Sequence, residues 1–368
     1  MKKLTFVFGI LLVLSMLLSA CAPQQAATEA PVVPEETEAV EEVVEEPVET
    51  EAPVETEAPK PVIALVPAGR VGTEGFMFLA GEGYKKAAAD FGFDVIILES
   101  EVAEEWERNV RTAAQDGANL IVGVGSTMQD AVKNVAPDFP DTKFVLVDSY
   151  TGGDNVEGLI SQEQEGTFLA GVLAAQMTTQ TDVEGINEEK VIGFIGGMDI
   201  PVIHRFLGGL QQGVAYVDPS VKIEVAYVGS FRDPAKAKEL ALAMIENQKV
   251  DIVYSVAGSF GDAGVFEAIA EKGVYGIGSD VSWDEVVPGF VLTSVIKNTD
   301  ATVYDAIKRY LDGEFTAGEV AYGLASGGMG ITDMVAIGDK VSPEIRESVM
   351  KALQDIIDGK IVVERPLK

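Results

Sequence analysis

A chain of 368 residues is too long for one compact core and suits two lobes of roughly 100 to 150 residues each. Its formal net charge of −32 weighs against a nucleic-acid partner, because phosphate binding needs clustered Lys and Arg, and favours a soluble, self-repelling surface. One cysteine and one histidine exclude an intrachain disulfide and all but exclude a Cys/His zinc site.

The chain begins with Lys2 and Lys3, an apolar run from Leu4 to Leu18, and then Ser19, Ala20 and Cys21. Residues 1–20 read as a signal peptide. Small residues before a cysteine resemble the bacterial lipobox, in which the Cys21 sulfur carries the lipid; an ordinary signal with an incidental cysteine is the alternative. Nothing later has about 18 consecutive apolar residues, so the lipid on Cys21 would be the membrane attachment. Residues 21–60 shift to Glu, Pro, Ala, Val and Thr, with a near-repeat at Val48 to Pro53 and Val54 to Pro59. Such a segment buries too little apolar surface to offset its ordering entropy and is expected to be an extended, disordered tether.

Beyond it, Val62 to Val66 reads as a buried strand and Phe76 to Phe91 as a helix. Strand and helix patterns then alternate: Val95 to Leu98, Glu104 to Ala114, Leu120 to Val124, Met128 to Ala136 and Phe144 to Val147. The pattern restarts at Val191 to Ile195, where Gly196-Gly197 lead into a helix with Ile200, Ile203, Phe206, Leu207 and Leu210 at helical spacing. Strands are expected near Ile223 to Val228, Ile252 to Val256 and Tyr275 to Ile277, then a crossing strand at Val291 to Val295 and helices at Val303 to Leu311 and Pro343 to Ile357. Gly318 to Gly330 holds many glycines and few strong helix formers. Regular βα alternation specifies parallel sheets with helices on both faces. Lobe 1 is expected over 61–162, completed by part of the C-terminal region, lobe 2 over 163–290, and a shared segment over 291–368.

In open parallel sheets ligands sit beyond the carboxyl ends of the strands, and several polar residues fall there. Asp148 ends the run from Phe144, and Asp280 ends Tyr275 to Ser279 in the same way. A carboxylate at such a place accepts hydrogen bonds from two neighbouring sugar hydroxyls; a helix cap or turn residue is the alternative for Asp148. Lys297 follows Leu292 to Ile296 and would limit the cost of burying two carboxylates, or else lies on the surface. Ser126 and Thr127 offer hydroxyls after Val124, or cap the next helix. Phe76 and Phe231 are aromatic candidates for stacking on a flat ring, with core packing as the alternative, and Trp283, on an apparently polar loop after Asp280, is a third. His204 reads as a helix-face residue. Gly-x-Ser-x-Gly and phosphate-loop motifs are both absent from the sequence, so no catalytic constellation is legible.

The segment from Gly196 to Phe206 is similar to the most recognisable part of the basic membrane protein family, substrate-binding lipoproteins that serve as purine-nucleoside receptors of ABC transporters. The similarity extends to GVGSTMQDAV at 123 to 132, FVLVD at 144 to 148, GSFRDPAKAKELA at 229 to 241, GVYGIGSD at 273 to 280 and PGFVLTSVIK at 288 to 297. The resemblance implies a two-lobed α/β architecture of the periplasmic-binding-protein type I fold, each lobe a parallel sheet flanked by helices, with ligand between the lobes. It implies that Asp148, Asp280 and Lys297 hold the ribose and that Phe76 stacks on the base. The implied partners are a nucleoside-like small molecule and an ABC permease with its ATPase, with no cofactor, no metal and no chemistry. The sequence departs from the family pattern where Pro67 and Met77 replace polar residues that read the purine edge, which puts base specificity in question. The rival expectations are a sensory receptor of the same fold and a nucleoside hydrolase using the paired aspartates on a metal.

Overall fold

A computed structural model describes residues 59–73 and 75–366. The expected signal peptide, Cys21 and almost all of the expected tether lie outside the described residues. In chain order the elements are β1 (Val62–Pro67), α1 (Gly75–Phe91), β2 (Asp94–Ile97), α2 (Trp106–Gln115), β3 (Leu120–Val124), α3 (Gln129–Val135), β4 (Lys143–Val147) and β5 (Val156–Ser161). They continue with α4 (Glu163–Met177), β6 (Val191–Gly196), α5 (Pro201–Val217), β7 (Lys222–Tyr227), α6 (Pro234–Gln248), β8 (Ile252–Val256), α7 (Gly258–Lys272) and β9 (Tyr275–Asp280). The last are β10 (Val291–Lys297), α8 (Thr299–Leu311), β11 (Gly318–Tyr322), β12 (Met329–Ile331) and α9 (Pro343–Ile357).

Among the described residues the strands form two six-stranded sheets, ordered β11-β5-β4-β3-β1-β2 and β12-β10-β9-β8-β6-β7. Every pairing in the first is parallel, and in the second only β12 runs antiparallel, against β10. The apolar runs have the cause expected of strands covered on both faces. In β1, Ile63 and Leu65 join a core with Tyr84 of α1 and Val303 and Ile307 of α8, whereas Ala64 and Val66 join the core of α2 and α3. In β6, Ile192 and Phe194 face α4 and α5, and Val191 and Ile195 face α6 and α7.

The chain passes between the sheets after Ser161, after Lys297, and between Tyr322 and Met329. β10 lies inside the second sheet, between β9 and β12, so the chain leaves that sheet only at Lys297. The glycine-rich stretch near 318 to 330 forms β11 and β12, one short strand for each sheet. Glu163 and Lys297 therefore stand at the feet of two crossings, which fixes where the polar site forms.

Candidate functional site

Asp148 directly follows β4 and Asp280 closes β9, and both have left-handed backbones, with φ of 73° and 66°. A non-glycine residue in that region costs on the order of 1 kcal/mol and persists where the surrounding structure demands it. Lys297, the last residue of β10, is 2 % exposed, and its Nζ lies 2.6 Å from Asp148 Oδ1. That contact is off the axis of a hydrogen bond, and Oδ1 has no hydrogen-bond partner among the described residues. Lys297 Nζ donates to Glu163 Oε1 at 2.9 Å. Its charge also sits over the rings of Phe76 at 5.0 Å and Phe206 at 5.7 Å, a cation–π cradle that suits a desolvated ammonium.

Glu163 opens α4 and is fully buried. Arg205, inside α5, grips it with both sides of its fork: Nε donates to Oε2 at 2.6 Å and Nη2 to Oε1 at 3.2 Å. The same Nη2 lies 3.4 Å from the Asp148 carbonyl oxygen. The cluster thus ties the end of a first-sheet strand to an α4 and α5 pair packed on the second. Glu163 and Arg205 carry no role in the sequence reading, because a glutamate opening a helix and an arginine on one are ordinary surface residues. The available signal was Arg205 set among Ile203, Phe206 and Leu210, on a helix otherwise apolar on that side.

Burial pushes the carboxyl of Asp148 up, and the Lys297 ammonium only partly offsets it. For Glu163 burial acts in the same sense, but Lys297 and Arg205 together outweigh it and hold the group below its ordinary value. Burial also raises Asp280, to about 6, with Lys297 opposing and the charges of Asp148 and Glu163 adding to the rise. Two cations face three carboxyls here, so one negative charge is left over when all are ionised. Such a site wants hydrogen-bond donors and repels an anion.

Phe76 is half-buried at the start of α1, directly after Gly75. A Cβ on Gly75 would come within 1.9 Å of Ser259 Oγ on α7, so the missing side chain is what lets the two sheets' helices meet. Phe231, in the loop after β7, packs on Gly197 and Gly258; a Cβ on Gly197 would fall 2.3 Å from its ring. Gly258 adjoins Ser259 in the chain, and Phe231 also packs against the core between α5 and the second sheet. Ser126 and Thr127 are half-buried in the turn after β3, beside Ala68 and Met77, and neither caps α3. Pro67 is buried opposite Val124, and Met77 reaches the Gly125 turn, so this end of the site is apolar.

Trp283 is corrected. It is 7 % exposed, stacks on Phe266 at 4.9 Å, donates its indole N–H to the Ser279 carbonyl at 3.3 Å, and fills the space beside Gly278. It folds back into the core of the second sheet and offers no face to a ligand. His204 lies on α5 with Nε2 2.5 Å from Asp199 Oδ1, away from the cluster.

Residues 60–365 match the Bmp family, described as "ABC transporter substrate-binding protein PnrA-like". The chain is 35% identical over 285 residues to the ABC transporter nucleoside-binding protein BmpA of Lactococcus lactis subsp. cremoris, across 72% of this chain and 77% of that one. It is 27% identical over 311 residues to basic membrane protein A of Borreliella burgdorferi, across 82% and 87%. Among solved structures, an ABC transporter solute-binding protein from Aeropyrum pernix superposes with a TM-score of 0.72 at 30% identity, over 84% of this chain and 94% of that one. Two sheets linked by repeated crossings, with polar groups at the strand ends between them, are the periplasmic-binding-protein type I fold. The chain belongs to the Bmp family of PnrA-like ABC transporter substrate-binding proteins.

Proposed function

We propose that this protein is a lipid-anchored extracytoplasmic receptor that captures a nucleoside, or a similar neutral molecule with neighbouring hydroxyls, and delivers it to an ABC permease and its ATPase. The observation that carries the reading is the meeting of Asp148, Asp280 and Lys297 from two sheets, with one carboxylate charge in excess. A vicinal diol supplies two donors to such a carboxylate, and Lys297 can donate to a hydroxyl oxygen in turn. Phe76 and Phe231 supply flat apolar faces, consistent with a base stacked beyond the sugar. A relative at 35% identity bears the name nucleoside-binding protein, which favours this ligand class. Ser126 and Thr127 are proposed as further hydroxyl donors at the rim. A hydrolase using the aspartates on a metal is disfavoured, since the Lys297 ammonium already lies against Asp148 where a cation would bridge.

Calorimetric titration of nucleosides tests the ligand. Asp280→Ala should weaken adenosine binding about tenfold or more, the loss of a charged hydrogen bond of about 1.5 to 3 kcal/mol. Deleting the 2′-hydroxyl should cost the wild type a similar factor and the variant little, because the partner is already gone. With Pro67 and Met77 at the base end, adenosine, guanosine and inosine should differ less among themselves than adenosine and 2′-deoxyadenosine do. Strong base discrimination with indifference to the sugar would reject the assignment.

Anchoring is tested separately. Cys21→Ser should release mature protein or leave uncleaved precursor in membrane fractionation. A variant still processed at that position and carrying lipid would refute the anchor.

A further inference from the structure

A further buried carboxyl lies next to the site, at Asp262 in α7, 1 % exposed. Its Oδ1 accepts from Ser255 Oγ at 2.5 Å and from the Ala257 backbone N–H at 2.8 Å, and its Oδ2 from Ser279 Oγ at 3.3 Å. Ser255 is the next-to-last residue of β8, Ala257 directly follows that strand, and Ser279 immediately precedes Asp280. The parallel pairing of β8 with β9 stops at Tyr254 opposite Ile277, so beyond that point the two strand ends splay apart. Asp262 stands in the gap and bonds to both. A carboxylate with three donors in an otherwise apolar core is costly to bury unless it does something apolar packing cannot.

We propose that Asp262 is a positioning residue for ligand capture: by bridging the splayed ends of β8 and β9 it holds the Asp280 backbone in its left-handed conformation at the strand end beside β10. This rests on the reading that Asp280 contacts the ligand. The charged and titratable groups around the pair are few. Asp262 faces the Ser255 and Ser279 hydroxyls, the Ala257 N–H and the Asp280 charge; Asp280 faces Lys297, Asp148 and Glu163; the Tyr254 hydroxyl, buried without a hydrogen-bond partner among the described residues, feels Asp280, Asp262 and Glu163. Burial raises Asp262 to about 7, and the charge of Asp280, which titrates lower, adds to the rise.

The test uses adenosine as probe and the carbon-13 carboxyl signal of Asp280 in ligand-free protein as a second readout. Asp262→Ala should weaken adenosine binding about tenfold, whereas Asp262→Asn, which keeps an acceptor for Ser255 and Ala257, should stay within about threefold of the wild type. In Asp262→Asn the Asp280 midpoint should stay near its wild-type place, since Asp262 is already protonated where Asp280 titrates, whereas in Asp262→Ala it should fall toward the ordinary carboxylate range as the freed strand end lets the group reach solvent. Ser279→Ala, which removes one bond and leaves Asp262 in place, should bind adenosine a few-fold more weakly and serves if Asp262→Ala does not fold. A folded Asp262→Ala with wild-type affinity, or with the Asp280 midpoint unmoved, would overturn the proposal. A wild type that ignores adenosine would instead count against the nucleoside reading, and the ligand-free Asp280 signal would still decide the role of Asp262.

Discussion

Glu163→Gln should lower the stability of the folded protein by about 3 to 5 kcal/mol, the range for removing one partner from a fully buried ion pair. The loss is large because Glu163 is the shared anion of Lys297 and Arg205, both buried, and glutamine leaves two desolvated cations with Asp148 and Asp280 as the remaining carboxyls of the cluster. Glutamine keeps the size and one acceptor, so the effect is electrostatic and not a cavity. Denaturant titration should show a lower midpoint with an unchanged slope. Replacing Glu82, whose pair with Lys85 is half-exposed, should leave the midpoint where it was. A Glu163→Gln midpoint equally unmoved would mean that the cluster does not bear on folding.

Lys297→Met should weaken adenosine binding at least a hundredfold, or about 2.8 kcal/mol, and make stability depend more steeply on pH. Methionine fills the channel between Phe76 and Phe206 but leaves Asp148, Glu163 and Asp280 facing one another with Arg205 as the remaining cation. The sign follows from which state binds the proton. A carboxyl whose folded value lies above its unfolded one takes up a proton more readily when folded, so stability grows as pH falls through the folded value toward about 4. In the wild type Asp262 at about 7, and Asp251 and Asp280 at about 6, already give that slope between roughly pH 7 and 4. Loss of the ammonium should raise Asp148 further and deepen it. Ligand binding should run the other way, weakening in acid as Asp280 takes up a proton and can no longer accept from two hydroxyls. Melting temperatures of both proteins from pH 8 to pH 5, with adenosine titrations at the same points, check this. Parallel curves for the two proteins would contradict the role given to Lys297.

Most covered strands were legible, because a strand such as Val62–Pro67 is an unbroken apolar run, but β5 was not, since Glu157, Gly158 and Ser161 interrupt its apolar residues although all six are buried. The helix α4 was not legible either. It buries nearly its whole circumference against α5, α9 and β10, so its sequence has no polar stripe and its periodicity is flat. With α4 unseen, Glu163 had no reason to stand out. The helix α6 carried a signal that went unused: Asp233 caps Lys236 N and Pro234 occupies the first turn, a start that the sequence spells out. Trp283 misled because the residues around it are polar, while the space that takes it, beside Gly278 and under Phe266, comes from β9 and α7.

By itself the sequence determined the α/β class and the positions of Asp148, Asp280 and Lys297 at strand ends, since hydrophobic runs and their terminators are local. The family likeness was legible too, carried by short segments whose order survives without any knowledge of packing. Only the tertiary structure decided that Lys297 points inward between Phe76 and Phe206, that Glu163 and Arg205 complete its charge balance, and that Asp262 reaches across to the last residues of β8 and β9. These are contacts between residues from 7 to 221 positions apart, and the cost of burying each charge depends on partners that no local pattern names.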